Sequence, residues 1–353
     1  MPSKPLPHLV SLASAVPRFD LEQDDVANRA GEIFAPMVSD FQRLMPVYRN
    51  AEIERRHSCV PIDWYADSHS FAERNGLFLD HATALLAEAA RKALDQAGLK
   101  PSDIDTLITV CSSGIATPSL DARVMQHLGF RSDVQRLPIF GLGCAGGVLG
   151  LTRAAALARA EPASRVLLLA VELCGLTFRQ QDRSKSNIIA TALFGDGAAA
   201  AIISCRPEHS AGPALGAAAE HTWPNSLGVM GWDVLDDGLK VVFSGNIPDL
   251  VRNDLRPVVD TFLSRQGLTL DDIAGYVCHP GGAKVLDALE ACFELPPRAM
   301  REARDVLRRH GNMSSVTVLF VLQETLNSGA SGRHLLTALG PGFTAAMLLM
   351  DLP

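Results

Sequence analysis

Gly98-Leu99-Lys100-Pro101-Ser102-Asp103-Ile104, which leads into the apolar run Leu107-Ile108-Thr109-Val110-Cys111, returns as Gly267-Leu268-Thr269-Leu270-Asp271-Asp272-Ile273 ahead of Tyr276-Val277-Cys278. Gly98, Leu99, Asp103 and Ile104 each have an identical residue 169 positions further on. A glycine stop, a short turn and a strand recurring at one constant offset mark a duplicated unit. Upstream of the first copy, Asp80–Gln96 carries Ala82, Leu86, Ala89, Ala93 and Leu94 at helical spacing, and Gly98 supplies the stop. The helix-turn-strand order predicts an α/β protein of two similar halves, with helices covering sheets. The break falls near Cys205–Pro213, where Arg206-Pro207 and Gly212-Pro213 interrupt regular structure, giving halves 1–205 and 206–353. Leu9–Val16 reads as a first strand, and the alanine-rich stretches Ala154–Ala160 and Ala198–Ala201 read as closely packed buried elements.

Three polar side chains sit at the ends of such elements. Cys144 lies in Gly141-Leu142-Gly143-Cys144-Ala145-Gly146-Gly147, directly before the helical stretch Val148–Ala160. A helix N-terminus favours negative charge, so a thiol there is expected to ionise below the roughly 8.5 of a free cysteine. His279 ends the run Tyr276-Val277-Cys278 ahead of a Pro-Gly-Gly turn, and Asn312 opens Val316–Leu322 from the turn His310-Gly311-Asn312-Met313-Ser314-Ser315. A nucleophilic cysteine in acyl transfer needs a base and donors for the developing oxyanion, and a histidine and an asparagine supply both. Papain-like proteases use the same residue types, but with the cysteine near the mature N-terminus in a different local signature. Asp196, in Gly195-Asp196-Gly197, is better read as a carboxylate capping backbone N–H groups than as a catalyst.

Composition narrows the remaining classes. A hydrophobic content of 47% with 20% charged residues describes a compact globular chain, and an aromatic content of 6% a core built of aliphatics and alanine. A net charge of -7 without any basic run argues against a nucleic-acid partner, and no apolar stretch nears the roughly 18 residues of a membrane span. Seven scattered cysteines without a Cys-x-x-Cys pair predict no metal site and fit a reducing, cytoplasmic setting. Pro5, Pro7 and Pro17 bracket an apolar run too short for a signal peptide.

Gly143-Cys144-Ala145-Gly146-Gly147, Leu193-Phe194-Gly195-Asp196-Gly197, His279-Pro280-Gly281-Gly282, Gly311-Asn312-Met313-Ser314-Ser315 and Gly340-Pro341-Gly342-Phe343 follow one another with the order and spacing of a known family. In these segments, and more weakly from about Leu6 to Leu352, the chain resembles the type III polyketide synthases, the chalcone and stilbene synthase family of the thiolase-like superfamily. The resemblance implies a thiolase-like αβαβα fold, two mixed sheets with helices outside and a helix pair between them. It implies an acyltransferase that condenses malonyl-CoA onto an acyl-CoA starter through Cys144, His279 and Asn312. No cofactor beyond these CoA substrates is implied, and the partner is a second copy of the chain. Leu339 stands where plant members carry an aromatic residue. Phe194 corresponds to one of two phenylalanines gating the tunnel, the second falling at Val241 or Val242, where a smaller residue widens the throat. Ser112, Thr117, Cys174, Thr177 and Trp232 correspond to cavity-lining positions, Thr117 being the one that crosses into the partner subunit. Arg43, with Arg49 as a competitor, and Lys284 correspond to residues that bind CoA. A fatty acyl starter closed to an alkylpyrone or alkylresorcinol is the expected product class. Trp232, at a position that is glycine in plant members, counts against the extra volume. Bacterial members making tetrahydroxynaphthalene tend to carry cysteine near the Thr117 position, which makes that product a second choice, beside aromatic-starter synthases. A ketoacyl-ACP synthase III and an acyl-binding protein without turnover remain as alternatives.

Overall fold

A computed structural model describes residues 5–353. Nine strands form the central sheet: β1 (His8–Ala15), β2 (Thr106–Cys111), β3 (Gln135–Phe140), β4 (Arg165–Leu173), β5 (Asp196–Ser204), β6 (Ala214–Thr222), β7 (Gly275–Cys278), β8 (Gly332–Gly340) and β9 (Thr344–Leu352). Their order is β7-β8-β9-β6-β1-β5-β4-β2-β3. Reading outward from the β6/β1 junction, β6, β9, β8 and β7 in one half mirror β1, β5, β4 and β2 in the other. The two expected sheets are thus half-sheets, joined at the His8–Ala214 pairing. In each half the outermost repeat strand runs parallel to its neighbour, β2 with β4 and β7 with β8.

The duplicated turn has one geometry in both halves. Asp103 accepts the backbone N–H of Lys100 at 2.8 Å, and Asp272, 169 positions on, accepts that of Thr269 at 2.8 Å. Gly98 and Gly267 both adopt left-handed backbone, with φ of 64° and 70°. Here the repeated residues make the repeated structure, because the aspartate pins the turn that aims each following strand.

Helix α1 (Phe71–Ala97) starts nine residues before the apolar periodicity that announces it. Ser70 and Glu73 form a reciprocal capping box, Ser70 accepting the Glu73 N–H at 3.2 Å and Glu73 accepting that of Ser70 at 2.8 Å. This cap stabilises a polar first turn that periodicity alone does not reveal. Strand alternation then splits the core in two. Ala198, Ala200 and Ile202 of β5, with Leu167, Leu169 and Val171 of β4, face α1. Ala199, Ala201 and Ile203, with Val166, Leu168 and Ala170, face the interior between the half-sheets. That interior holds helices α2 (Gly146–Ala160) and α3 (Thr317–Asn327). α2 packs on β2, β4 and β5 from one half and on β6, β8 and β9 from the other, and six of its ten buried residues are glycine or alanine: Gly146, Gly147, Gly150, Ala154, Ala155 and Ala158. No helix among the described residues is long and apolar enough to cross a membrane.

Candidate active site

Cys144, His279 and Asn312 come from three separate corners of this frame. Cys144 lies in the tight turn Gly143–Ala145 that opens α2, His279 directly follows β7, and Asn312 begins the turn that opens α3. Close approach between these corners requires glycine. Gly143 has a φ of +47°, and a Cβ there would stand 2.6 Å from Pro341 of the Gly-Pro-Gly loop. A Cβ on Gly147 would meet the Ser315 carbonyl of the facing turn, which no side chain can do without moving backbone. The Gly143 N–H donates to Ser112 Oγ at 3.0 Å, and the His279 N–H donates to the Thr337 carbonyl at 2.9 Å, extending the β7–β8 ladder.

Cys144, His279 and Asn312 line one cavity of about 570 Å³. Asn312 Nδ2 donates to the Gly281 carbonyl at 3.2 Å, and its Oδ1 accepts the Ser314 N–H at 2.8 Å, which fixes the amide's orientation and leaves a second N–H. The Cys144 thiol donates to Ser314 Oγ at 3.8 Å. Both ring nitrogens of His279 are buried without a hydrogen-bond partner among the described residues. Behind the cysteine lies a carboxylate the motif reading missed. Glu172, fully buried in β4, accepts Ser113 Oγ at 2.7 Å, the Ser112 N–H at 3.0 Å and Ser315 Oγ at 2.7 Å. It ties the turn after β2 to the turn before α3, and burial raises its pKa. A lone acid in the apolar run Val166–Leu173 is the sequence signal that would have found it.

Burial outweighs the helix terminus in setting the cysteine's acidity. It pushes the Cys144 thiol up to about 12, the Ser314 and Asn312 contacts opposing it, and holds His279 down at about 3. Each group alone therefore resists ionisation, against the lowered thiol expected from the helix position. Were the Cys144 proton passed to an unpartnered ring nitrogen of His279, the thiolate and imidazolium so formed would stabilise one another across the low-dielectric cavity.

The other candidates distribute unevenly. Arg43 and Lys284 line the Cys144 cavity, as does Lys185, and all three are exposed to solvent; Arg49 is not among the lining residues. Cys174, Thr177, Phe194 and Val241 line a second, smaller cavity of about 70 Å³. Neither Phe194 nor Val241 is among the residues lining the Cys144 cavity. Phe243, on the same face of its strand two residues along, lines the Cys144 cavity and sets its ring 5.6 Å from that of Phe194. Trp232, the cross-strand partner of Val241, sets its ring 6.2 Å from that of Phe194 and lines neither cavity. Phe194, Phe243 and Trp232 thus form an aromatic cluster beside the Cys144 cavity. Ser112 is buried and acts on the Gly143 turn rather than lining the cavity, and Thr117 is exposed in this chain. Asp196 takes a capping role, its oxygens accepting the N–H groups of Gly175 at 2.8 Å and Cys59 at 3.0 Å.

A duplicated thiolase-like frame holding a cysteine, a histidine and an asparagine in one deep cavity defines an acyl-transferring enzyme. Residues 60–207 match the N-terminal domain, and residues 214–352 the C-terminal domain, of the chalcone and stilbene synthases. The chain belongs to that family, the type III polyketide synthases. It is 38% identical over 350 residues to a 1,3,6,8-tetrahydroxynaphthalene synthase of Streptomyces peucetius subsp. caesius, covering 97% of this chain and 92% of the relative. It is 28% identical over 355 residues to "Alpha-pyrone synthesis polyketide synthase-like Pks18" of Mycobacterium tuberculosis (strain ATCC 25618 / H37Rv), covering 97% and 90%. The crystal structure of the tetrahydroxynaphthalene synthase of Streptomyces coelicolor A3(2), a bacterial type III polyketide synthase, superposes with a TM-score of 0.92 at 28% identity, covering 98% of this chain and 99% of that one.

Proposed function

We propose that the chain loads a fatty acyl-CoA starter onto Cys144 and extends it with malonyl-CoA, His279 and Asn312 serving as donors to the reacting carbonyl. The observation that carries this reading is the single cavity lined by all three side chains and by three solvent-exposed cations. In loading, the Cys144 thiolate attacks the thioester carbonyl and the C–S bond to CoA breaks. CoA leaves as a thiolate and takes the proton held on His279. In extension, malonyl-CoA loses CO2 and leaves an enolate whose oxygen accepts from His279 and from the second N–H of Asn312. The enolate carbon attacks the acyl-cysteine, a C–C bond forms, and Cys144 is released with the longer chain on CoA. Every step is heterolytic and supplied by the two CoA substrates, so the scheme calls for no further cofactor.

Arg43, Lys284 and Lys185 are the cations for the CoA phosphates, Lys185 being an addition that its position at the cavity suggests. The starter reading rests on apolar lining by Leu44, Val47, Ile189, Met230 and Leu289, against which each buried CH2 contributes about 0.8 kcal/mol, and on the likeness to the alpha-pyrone relative. A second reading, tetrahydroxynaphthalene from malonyl-CoA alone, is favoured by the 38% identical relative and by the aromatic cluster beside the Cys144 cavity. A homodimer is supported by the exposed side chains Leu137 and Phe140 on the edge strand β3, with Ile115 and Thr117 exposed as well. Seven free cysteines fit work in the cytoplasm. The division into 1–205 and 206–353 lies two residues before the end of the N-terminal family match at 207, close to the start of the C-terminal match at 214.

The test offers equal concentrations of fatty acyl-CoA, p-coumaroyl-CoA and malonyl-CoA alone, with products identified by mass. An efficiency rising with acyl length supports the alkyl reading; tetrahydroxynaphthalene as the main product replaces it with the second.

A further inference from the structure

Phe194 and Asn312 are held in place by one buried side chain that the reaction scheme does not use. Helix Lys185–Leu193 ends at Phe194, and the last carbonyls of any helix lack partners within it. Here each of them is accounted for. The Ala190 carbonyl accepts the Phe194 N–H at 2.9 Å, and the Leu193 carbonyl accepts the Asn312 N–H at 2.8 Å. The remaining three go to Arg56: Nη1 donates to Thr191 and Phe194, and Nη2 to Ala192, all at 2.9 Å. Gln23 completes the clamp, its Oε1 accepting from Arg56 Nη2 and its amide donating to Ala192 at 3.1 Å and Tyr48 at 2.9 Å. The Gly195 N–H returns to the Asn312 carbonyl at 3.0 Å, so Phe194 and Asn312 form a two-bond parallel bridge. A continuous set of hydrogen bonds therefore runs from Gln23 through Arg56 and the helix end to the backbone of Asn312.

The arrangement suits arginine specifically. Its planar fork reaches three carbonyls and the Gln23 oxygen at once, whereas lysine offers a point charge on a flexible stem. At 4% exposure the guanidinium faces no solvent, and the negative end of the helix dipole favours a cation there. We infer that Arg56, with Gln23, is a positioning residue for the condensation: it fixes Leu193–Gly195 so that the Phe194 ring keeps its place against Phe243 of the cavity wall and the Asn312 amide keeps its aim at the enolate. The inference rests on the assignment of Asn312 as an oxyanion donor.

The experiment compares Arg56→Lys, Gln23→Leu and Asn312→Ala with the unmodified enzyme. It measures Tm, malonyl-CoA decarboxylation, kcat and KM for condensation, acyl loading of Cys144, and product distribution. Arg56→Lys is expected to lower kcat for decarboxylation by about 100-fold, the cost of a displacement of about 1 Å at a reacting group. KM for CoA substrates and acyl loading persist, and products shift to a different length distribution as Phe194 moves. Gln23→Leu produces the same pattern to a smaller extent, and decides the matter alone if Arg56→Lys does not fold. A lowered Tm with unchanged kcat per folded molecule and unchanged products in both variants would overturn the inference and leave Arg56 a purely structural clamp. Decarboxylation retained in Asn312→Ala would instead remove the assignment on which it rests.

Discussion

Replacing His279 with glutamine, which keeps a polar side chain but cannot take a proton, tests whether Cys144 owes its reactivity to the histidine. Proton transfer to His279 is taken to restore the ionisation of an ordinary cysteine, whereas with His279 neutral burial above all sets the thiol at about 12. At pH 8 such a thiol is ionised to about one part in 10⁴, against about one quarter for an ordinary cysteine, a loss of about three orders of magnitude in thiolate. A less acidic thiol yields a more nucleophilic thiolate. With a Brønsted slope of about 0.4–0.5 this recovers about 25- to 60-fold, leaving alkylation about 40- to 100-fold slower in the variant. The assay is the iodoacetamide labelling rate of the Cys144 peptide followed by mass spectrometry. Burial holds Cys59, Cys111 and Cys278 far above the usual thiol range, so they make slow internal references. Equal labelling rates in the two proteins would refute the coupled ionisation of Cys144 and His279.

The same burial predicts acid lability. His279 is held at about 3 in the fold and near 6.5 when unfolded, so the unfolded chain binds the extra proton between those values. Its contribution to stability is intact above about pH 6.5 and is lost progressively as pH falls toward 3, the loss amounting to about 2 kcal/mol at pH 5; urea midpoints at pH 7 and pH 5 should lie closer together in His279→Gln than in the unmodified chain, and identical pH slopes would contradict this. Phe140→Glu, on the exposed edge of β3, should give monomers by sedimentation; an unchanged dimer would place the interface elsewhere. Phe243→Ala removes the ring facing Phe194 and should raise kcat/KM for long acyl starters relative to short ones, whereas an unchanged ratio would remove Phe243 from the throat.

The duplication was legible because a turn pinned by its own aspartate is local: Asp103 and Asp272 need no distant partner to act. The three corners bearing Cys144, His279 and Asn312 were legible for the same reason, each being a polar residue at the end of an apolar element. What escaped the sequence is tertiary. Val241 and Phe243 share a strand face, and only the packing of that strand against Phe194 decides which of them meets it. The acidity of Cys144 was misjudged because the helix terminus can be read from glycine and alanine, while the depth of burial cannot. Arg56 and the carbonyls it holds are about 135 residues apart in the chain, with nothing in either segment that names the other. The early start of α1 was visible in principle, since Ser70 and Glu73 carry the capping-box spacing ahead of an apolar pattern that begins late.

The central claim, that Cys144 carries the growing chain, is tested most directly by intact-protein and peptide mass spectrometry after brief exposure to a fatty acyl-CoA. The prediction is one acyl group per chain on the Cys144 peptide, discharged into product on adding malonyl-CoA and absent in Cys144→Ala. An acyl group on another residue, or product formation by Cys144→Ala, would contradict it.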